Sequence, residues 1–168
     1  MVVALLAVAA PLLAACGGAS HTVRTLNKSA YDQKMQTVAQ RYGTAATRTF
    51  TLLTRAFAKR QKASAVSSLR HAAALYTAES DALAAIGPPN EVAHDHAVLV
   101  ASYLTAGRWA ATLASLVRNP KKATAATNRA AMNTWLPRVN AVLRDLRAKG
   151  YEVGDFTGWT EHIAGAGH

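Results

Sequence analysis

Apolar side chains recur at alternating intervals of four and three residues through four long segments of this chain, and this spacing constrains the fold most strongly. On a helix of about 3.6 residues per turn such positions share one side, so each segment predicts an amphipathic helix. In the first segment Leu52 is among the residues expected to face the core, and Phe50, Leu53 and Phe57 widen the apolar side. Alanine, the strongest helix former, contributes much of the 51% apolar content of the 168 residues. Val and Ile occur without the alternating runs that would indicate strands.

Capping and turn residues set the ends of these helices. Asn27 is a candidate N-cap for the first helix. Gly87-Pro88-Pro89-Asn90 ends the second helix: the glycine suits a left-handed terminal residue, proline cannot continue the hydrogen-bond ladder, and Asn90 can cap the next helix. Pro137 is expected to kink or split the fourth helix, and Gly150 to end it. The predicted helices cover about 28–59, 64–86, 91–118 and 121–149.

Short connections between long helices favour neighbours that run in opposite directions. The sequence therefore predicts an all-α fold, an up-and-down antiparallel four-helix bundle over residues 27–150. The segment 151–168 is rich in glycine and predicts an irregular C-terminal tail, held in place by Phe156 and Trp159.

The N-terminus has the pattern of an export signal. Residues 2–13 form an uncharged apolar run that fits a signal peptide and is short for a membrane span, which needs about 20 residues. Leu13-Ala14-Ala15-Cys16 follows, with small residues directly before the single cysteine. No Lys or Arg precedes the run, which is unusual for a signal peptide. A signal peptide without lipidation and a buried N-terminal helix are the alternatives.

Leu13-Ala14-Ala15-Cys16 closely resembles the lipobox of bacterial lipoproteins. The resemblance implies that residues 1–15 are a lipoprotein signal peptide, that Cys16 is acylated, for example with palmitate, and that residues 16–26 are the lipidated cysteine and a flexible tether. With Leu26-Asn27-Lys28-x-x-Tyr31 and Ile86-Gly87-Pro88-Pro89…His96-x-x-Leu99, the full chain is similar to small actinobacterial lipoproteins of unassigned function. This implies a lipid-anchored position on the extracytoplasmic face of the cell membrane.

Basic residues are concentrated in the first and fourth predicted helices. Residues 24–62 carry nine Lys and Arg against Asp32 alone, and residues 120–149 carry seven against Asp145. Five cations recur every seven residues and predict a stripe about 42 Å long beside the apolar seam. They are Lys34, Arg41, Arg48, Arg55 and Lys62. Their methylenes could cover the core edge, or their charges could contact anionic lipid or a cell-wall polymer.

One group of residues has the chemistry of a weak metal site. Glu91-Val92-Ala93-His94 places a carboxylate and an imidazole on one side of a helix, and the preceding turn would bring two further acids close. Zn or Cu would suit this set better than a di-iron centre. The candidate ligands are Glu79, Asp81, Glu91 and His94. The helix dipole is the alternative explanation for Glu91, and His96 is expected to be a hydrogen-bonded core residue.

The sequence contains no Cys-x-x-Cys-His, P-loop, Gly-x-Ser-x-Gly or His-Glu-x-x-His motif. We therefore expect no enzyme and no cofactor, but a cell-envelope lipoprotein that binds envelope partners through the basic faces of its first and fourth helices. Nucleic acid is not an expected partner, because the aromatic residues follow core spacing. The alternative is a metal- or small-ligand-binding bundle, in which Trp109 and Trp135 would line a pocket rather than pack in the core.

Overall fold

The computed structural model describes residues 23–119, 125–154 and 156, and only the backbone of residues 125–134 and 136. The predicted signal peptide, Cys16, most of the predicted tether and Trp159 lie outside these residues. The helices are α1 (Lys28–Ala58), α2 (Lys62–Ala84), α3 (Ala93–Arg118) and α4 (Ala125–Ala148). Consecutive helices pack against each other, and the described residues contain no strand. The predicted all-α four-helix bundle is confirmed.

The N-cap of α1 is the predicted one. The Asn27 side chain accepts a hydrogen bond from the backbone N–H of Ala30 at 2.9 Å, which satisfies one of the N–H groups left unpaired at a helix start.

The ends of α1 and α4 share one hydrogen-bond pattern with different residues at its centre. After α1, the N–H of Arg60 donates to the Phe57 carbonyl and the N–H of Gln61 donates to the Ala56 carbonyl. This is a Schellman motif, and Arg60 takes the left-handed conformation (φ 54°) that usually belongs to glycine. After α4 the same two bonds surround the predicted Gly150, at φ 82°.

The connection between α2 and α3 differs from the prediction in two respects. Gly87 has no positive φ; instead it permits a close approach, since a Cβ there would lie 2.0 Å from the backbone oxygen of Arg24. Asn90 does not cap α3 with its side chain, because residues Asn90–Val92 form a 3₁₀ turn and the backbone carbonyl of Asn90 accepts the bond from Ala93. The sequence alone does not show that the backbone of Arg24 packs against Gly87.

Pro137 does not split α4, which runs from Ala125 to Ala148 as one helix. The C-terminal tail begins directly after it and enters the core. Tyr151, Val153 and Phe156 are all buried. The side chains of Gln36 on α1 and Arg147 on α4 donate hydrogen bonds to backbone carbonyls of the tail, so the tail lies between those two helices.

Large buried side chains are concentrated at one end of the bundle. We call this the α2–α3 end, where α1 and α3 begin and α2 and α4 finish. The largest fully buried side chains are all found there or in the tail: Tyr31, Met35, Leu83, Val92, Leu99, Tyr103, Val139, Leu143, Leu146 and Val153. At the opposite end, which we call the α1–α2 end, the buried residues of α1, α2 and α3 are chiefly alanines: Ala46, Ala56, Ala65, Ala110 and Ala114.

Leu52 was expected to face the core and is 47% exposed. The cause is the length of α1, which has 31 residues. A straight helix drifts by about 20° per heptad relative to a seven-residue repeat, so an alternation of three and four residues loses the core side after several turns. Leu53, one residue later, takes the half-buried position.

Candidate functional site

The four candidate metal ligands do not converge in the structure. Glu79 is buried in the core, whereas Asp81 and His94 are exposed. Glu91 accepts a hydrogen bond from the Tyr151 hydroxyl at 2.5 Å. No group of three or more His, Cys, Asp or Glu residues within the described ranges could hold a metal ion. The geometry therefore does not support a metal site at the turn between α2 and α3.

The contacts of Glu91 instead attach the C-terminal tail to this turn. The hydrogen bond from Tyr151 lowers the pKa of Glu91, and burial raises the pKa of Tyr151 to about 12. Lys149 adds a salt bridge of 2.6 Å to Asp95 and a hydrogen bond to the Glu91 carbonyl. These are structural contacts that fix the end of α4 beside the start of α3.

His96 is the hydrogen-bonded core residue that its position predicted. Its Nε2 lies 2.9 Å from the Leu83 carbonyl oxygen, and its Nδ1 lies 3.0 Å from the Tyr31 hydroxyl. Because a carbonyl only accepts, Nε2 carries the proton and Nδ1 accepts from Tyr31. Burial lowers the pKa of His96, so the neutral ring with both nitrogens paired is favoured.

Glu79 is a buried acid beside an aromatic cluster. It is 4% exposed, and burial raises its pKa to about 8, opposed by a hydrogen bond with the Tyr103 hydroxyl. The rings of Tyr76, Tyr103 and Trp135 have centroids 5.9 to 6.3 Å apart. The sequence indicates that Glu79 lies near the end of the second helix, within reach of the next one, but it does not show that the residue lies on the buried side of α2.

The predicted basic stripe is shorter than the sequence implied. Lys62 begins α2, because the Schellman motif ends α1 and reverses the chain before that residue. The remaining four cations lie on α1, are all exposed, and we call them the basic face: Lys34, Arg41, Arg48 and Arg55. They extend over about 32 Å at ~1.5 Å per residue.

The basic face is free of acidic partners among the described residues. The salt bridges among the described residues join Lys28 to Asp32 and Lys149 to Asp95, and neither involves the basic face. Arg41 lies over the Tyr42 ring, 5.4 Å from its centroid. On α4, which was also predicted to be basic, Arg138 and Arg144 are exposed, and Arg147 donates to the Gly154 carbonyl of the tail. Lys149, directly after α4, contacts Asp95 of α3.

An apolar cleft of about 180 Å³ opens between α1, α2 and α3 toward the α1–α2 end. Its mouth includes Phe57, which is 51% exposed. Trp109 lines this cleft, whereas Trp135 is buried in the core. The lining residues are Ala46, Thr49, Phe50, Leu53, Phe57, Leu69, Ala72, Leu75, Tyr76, Trp109, Ala110 and Leu113.

Sequence reasoning assigned Phe50, Leu53 and Phe57 to the core and did not anticipate the cleft. The available signal was a mismatch in size: these large side chains face small residues such as Ala72 and Ala110 across the helix interface. Alanines cannot fill the space between helices that longer side chains keep apart, so a groove remains.

Neither a family model, nor a curated protein, nor a solved structure matches this chain. In the part of the chain that the structure describes, no helix has the length and apolar character needed to cross a membrane.

Proposed function

We propose that this protein is a non-enzymatic binding module of the cell envelope, anchored to the membrane by acylation of Cys16, whose basic face contacts an anionic surface. The observation that carries this proposal is the exposure of the basic face together with its lack of acidic partners among the described residues. Its four cations are exposed and form no ion pair with any described residue. Cations without acidic neighbours keep their charge available to a partner, whereas the charge of Lys149 is paired with Asp95.

The spacing of these cations suits an extended charged surface. Neighbouring members are seven residues apart, about 10 Å along the helix, and they drift slowly around it. A planar array of lipid headgroups or a cell-wall polymer could meet several of them together. A basic residue close to an anionic membrane contributes about 1 kcal/mol, and the contribution falls within a Debye length of about 8 Å at physiological salt.

The experiment measures binding to vesicles that contain anionic lipid, using a chain that begins at Gly17 and so retains every described residue without the acylated cysteine. The test variant is Arg41→Gln/Arg48→Gln/Arg55→Gln. At about 1 kcal/mol per cation, binding should fall by about a hundredfold at low salt. Wild-type binding should weaken steeply as the salt concentration rises.

The matched control removes the same charge elsewhere. Arg70, Arg108 and Arg118 are also exposed and lie on α2 and α3. Their replacement by Gln should leave most of the binding intact. Equal losses of binding in the two triple variants would reduce the proposal to an effect of net charge. Binding that does not change with salt concentration would remove its electrostatic basis. Mass spectrometry of the membrane fraction, with Cys16→Ser as control, tests the anchor separately.

A further inference from the structure

We propose that the apolar cleft binds the hydrocarbon chain of a medium-chain fatty acid, with the carboxylate at the basic turn between α1 and α2. The site is separate from the basic face and does not depend on it. The proposal starts from the packing of α1, α2 and α3, whose buried residues at the α1–α2 end are chiefly alanines. A cleft results whose described lining is apolar apart from Thr49 and the polar groups of Tyr76 and Trp109.

The size of the cleft selects a narrow apolar occupant. Apolar protein cavities of roughly 150 Å³ stay dry and take up molecules such as benzene. The volume here, about 180 Å³, is comparable. A helix of a partner protein, about 10 Å in diameter with its side chains, is too wide to enter such a cleft. A single hydrocarbon chain is narrow enough.

The charge beside the mouth selects an anionic head group. Phe57 at the mouth is followed within five residues by three exposed cations, Lys59, Arg60 and Lys62. None of the three forms an ion pair with the described residues. A carboxylate near this turn would therefore find positive charge, while the attached chain extends along the cleft toward Trp109. A fatty acid combines these two requirements in one molecule.

Isothermal titration of the full chain with dodecanoate, below its micelle concentration, tests the proposal. We expect one molecule per chain, with affinity rising about fourfold per methylene in the shorter fatty acids and levelling off toward dodecanoate, once the chain fills the cleft. Absence of binding overturns the proposal. If the chain instead forms a dimer that does not bind dodecanoate, a second copy covers the cleft and the proposal is overturned.

A matched pair of substitutions locates the site. Ala72 lines the cleft and Ala74, two residues along α2, is exposed away from it. Ala72→Phe should fill the cleft and weaken dodecanoate binding at least tenfold, whereas Ala74→Phe should bind as the wild type does. Equal affinities in the two variants refute the location. Because Ala72→Phe could impair folding, quenching of Trp109 fluorescence by a dodecanoate brominated on its terminal carbon gives a test on the unmodified cleft, with Trp109→Phe as its control.

A second pair tests the role of charge. Lys59→Gln/Lys62→Gln should weaken dodecanoate binding by about threefold to tenfold, as expected for two exposed ion pairs, and leave binding of the neutral alcohol dodecanol unchanged. The control Lys34→Gln/Arg41→Gln removes equal charge from the far part of α1 and should change neither. Equal loss of dodecanol binding in the first variant would contradict an ionic contact at the turn.

Discussion

Replacement of Glu79 by glutamine should stabilise this protein at neutral and alkaline pH and have little effect in acid. Glu79 is 4% exposed, and burial raises its pKa to about 8 from the value of 4.5 expected when the chain is unfolded. The folded state therefore favours the protonated acid, and ionisation of this residue opposes folding. Glutamine has nearly the same shape and remains neutral at every pH.

The sign and size of the effect follow from proton linkage. Between pH 4.5 and 8 the folded chain holds a proton that the unfolded chain releases, so the free energy of unfolding falls as the pH rises through this range. The pKa difference corresponds to a loss of about 3 kcal/mol at pH 7 and about 5 kcal/mol at pH 9, relative to strong acid. The glutamine variant should lack this loss.

A hydrogen bond with the Tyr103 hydroxyl opposes the effect of burial on Glu79, but burial is the larger effect and the pKa remains raised to about 8. The Tyr103 hydroxyl also lies 3.2 Å from the Phe156 carbonyl, which can only accept. The side-chain amide of glutamine has both an N–H donor and a carbonyl acceptor, so it can keep a hydrogen bond with the Tyr103 hydroxyl.

Urea denaturation of both proteins between pH 5 and 9 measures the prediction. The difference in the free energy of unfolding, variant minus wild type, should grow by about 4 kcal/mol across this range. Other titrating groups contribute equally to both proteins and cancel. Asp81→Asn removes an exposed acid two residues along the same helix and should give a nearly constant difference. A constant difference for Glu79→Gln as well would refute the reasoning that the fold holds this acid neutral.

Four further substitutions test particular backbone conformations and contacts by urea denaturation at pH 7. Arg60→Gly should raise the free energy of unfolding by about 1 kcal/mol, because glycine adopts the left-handed conformation without strain, and Gly150→Ala should lower it by a similar amount; shifts of the same sign would contradict this. Gly87→Ala should lower it by about 1–3 kcal/mol, since the new methyl overlaps the backbone before α1, and an unchanged value would show that this backbone moves freely. Tyr31→Phe should lower it by about 1–3 kcal/mol by leaving Nδ1 of His96 unpaired, and a neutral result would mean that another donor replaces the hydroxyl.

The helical architecture could be predicted because local signals agreed with one another. The spacing of apolar residues predicted four helices, Asn27 and Gly150 marked two of their ends, and the glycine-proline turn marked a third. Each of these signals acts within one or two helical turns, so the sequence carries them directly. His96 was also assigned correctly to the core, because its register on α3 coincides with Leu99 and Tyr103.

The remaining features depend on contacts between distant segments or on competing local choices. Arg60 ends α1 in a conformation that its residue type disfavours, and nothing nearby in the sequence marks this position. The need for glycine at position 87 arises from a backbone more than sixty residues earlier in the chain. The burial of Glu79 depends on the packing of α2 against α3, which brings the Tyr103 hydroxyl to it. The apolar cleft depends on which small residues face which large ones, and spacing alone does not give this information.

The positions of the tether and the two proposed binding surfaces imply that both surfaces can be occupied together. The N–H of Leu26 donates to the Gly87 carbonyl at 2.9 Å, so the chain joins the bundle at the α2–α3 end. If Cys16 is acylated, an extended tether holds that end within about 35 Å of the membrane and leaves the cleft near the far end. A short reach of this kind still allows the bundle to lie flat on α1.

The positions of residues around α1 determine which side of the bundle then faces the membrane. Arg55 is two residues from both Leu53 and Phe57, or about 200° around the helix, so the basic face and the apolar cleft lie on opposite sides of α1. A bundle resting on its basic face would keep the cleft open to solvent. We therefore expect vesicle-bound protein to take up dodecanoate with the affinity of the free protein, measured with the brominated probe and Trp109 fluorescence. Competition between vesicles and dodecanoate would show instead that both use one surface, and the separation argued from the register of α1 would be wrong.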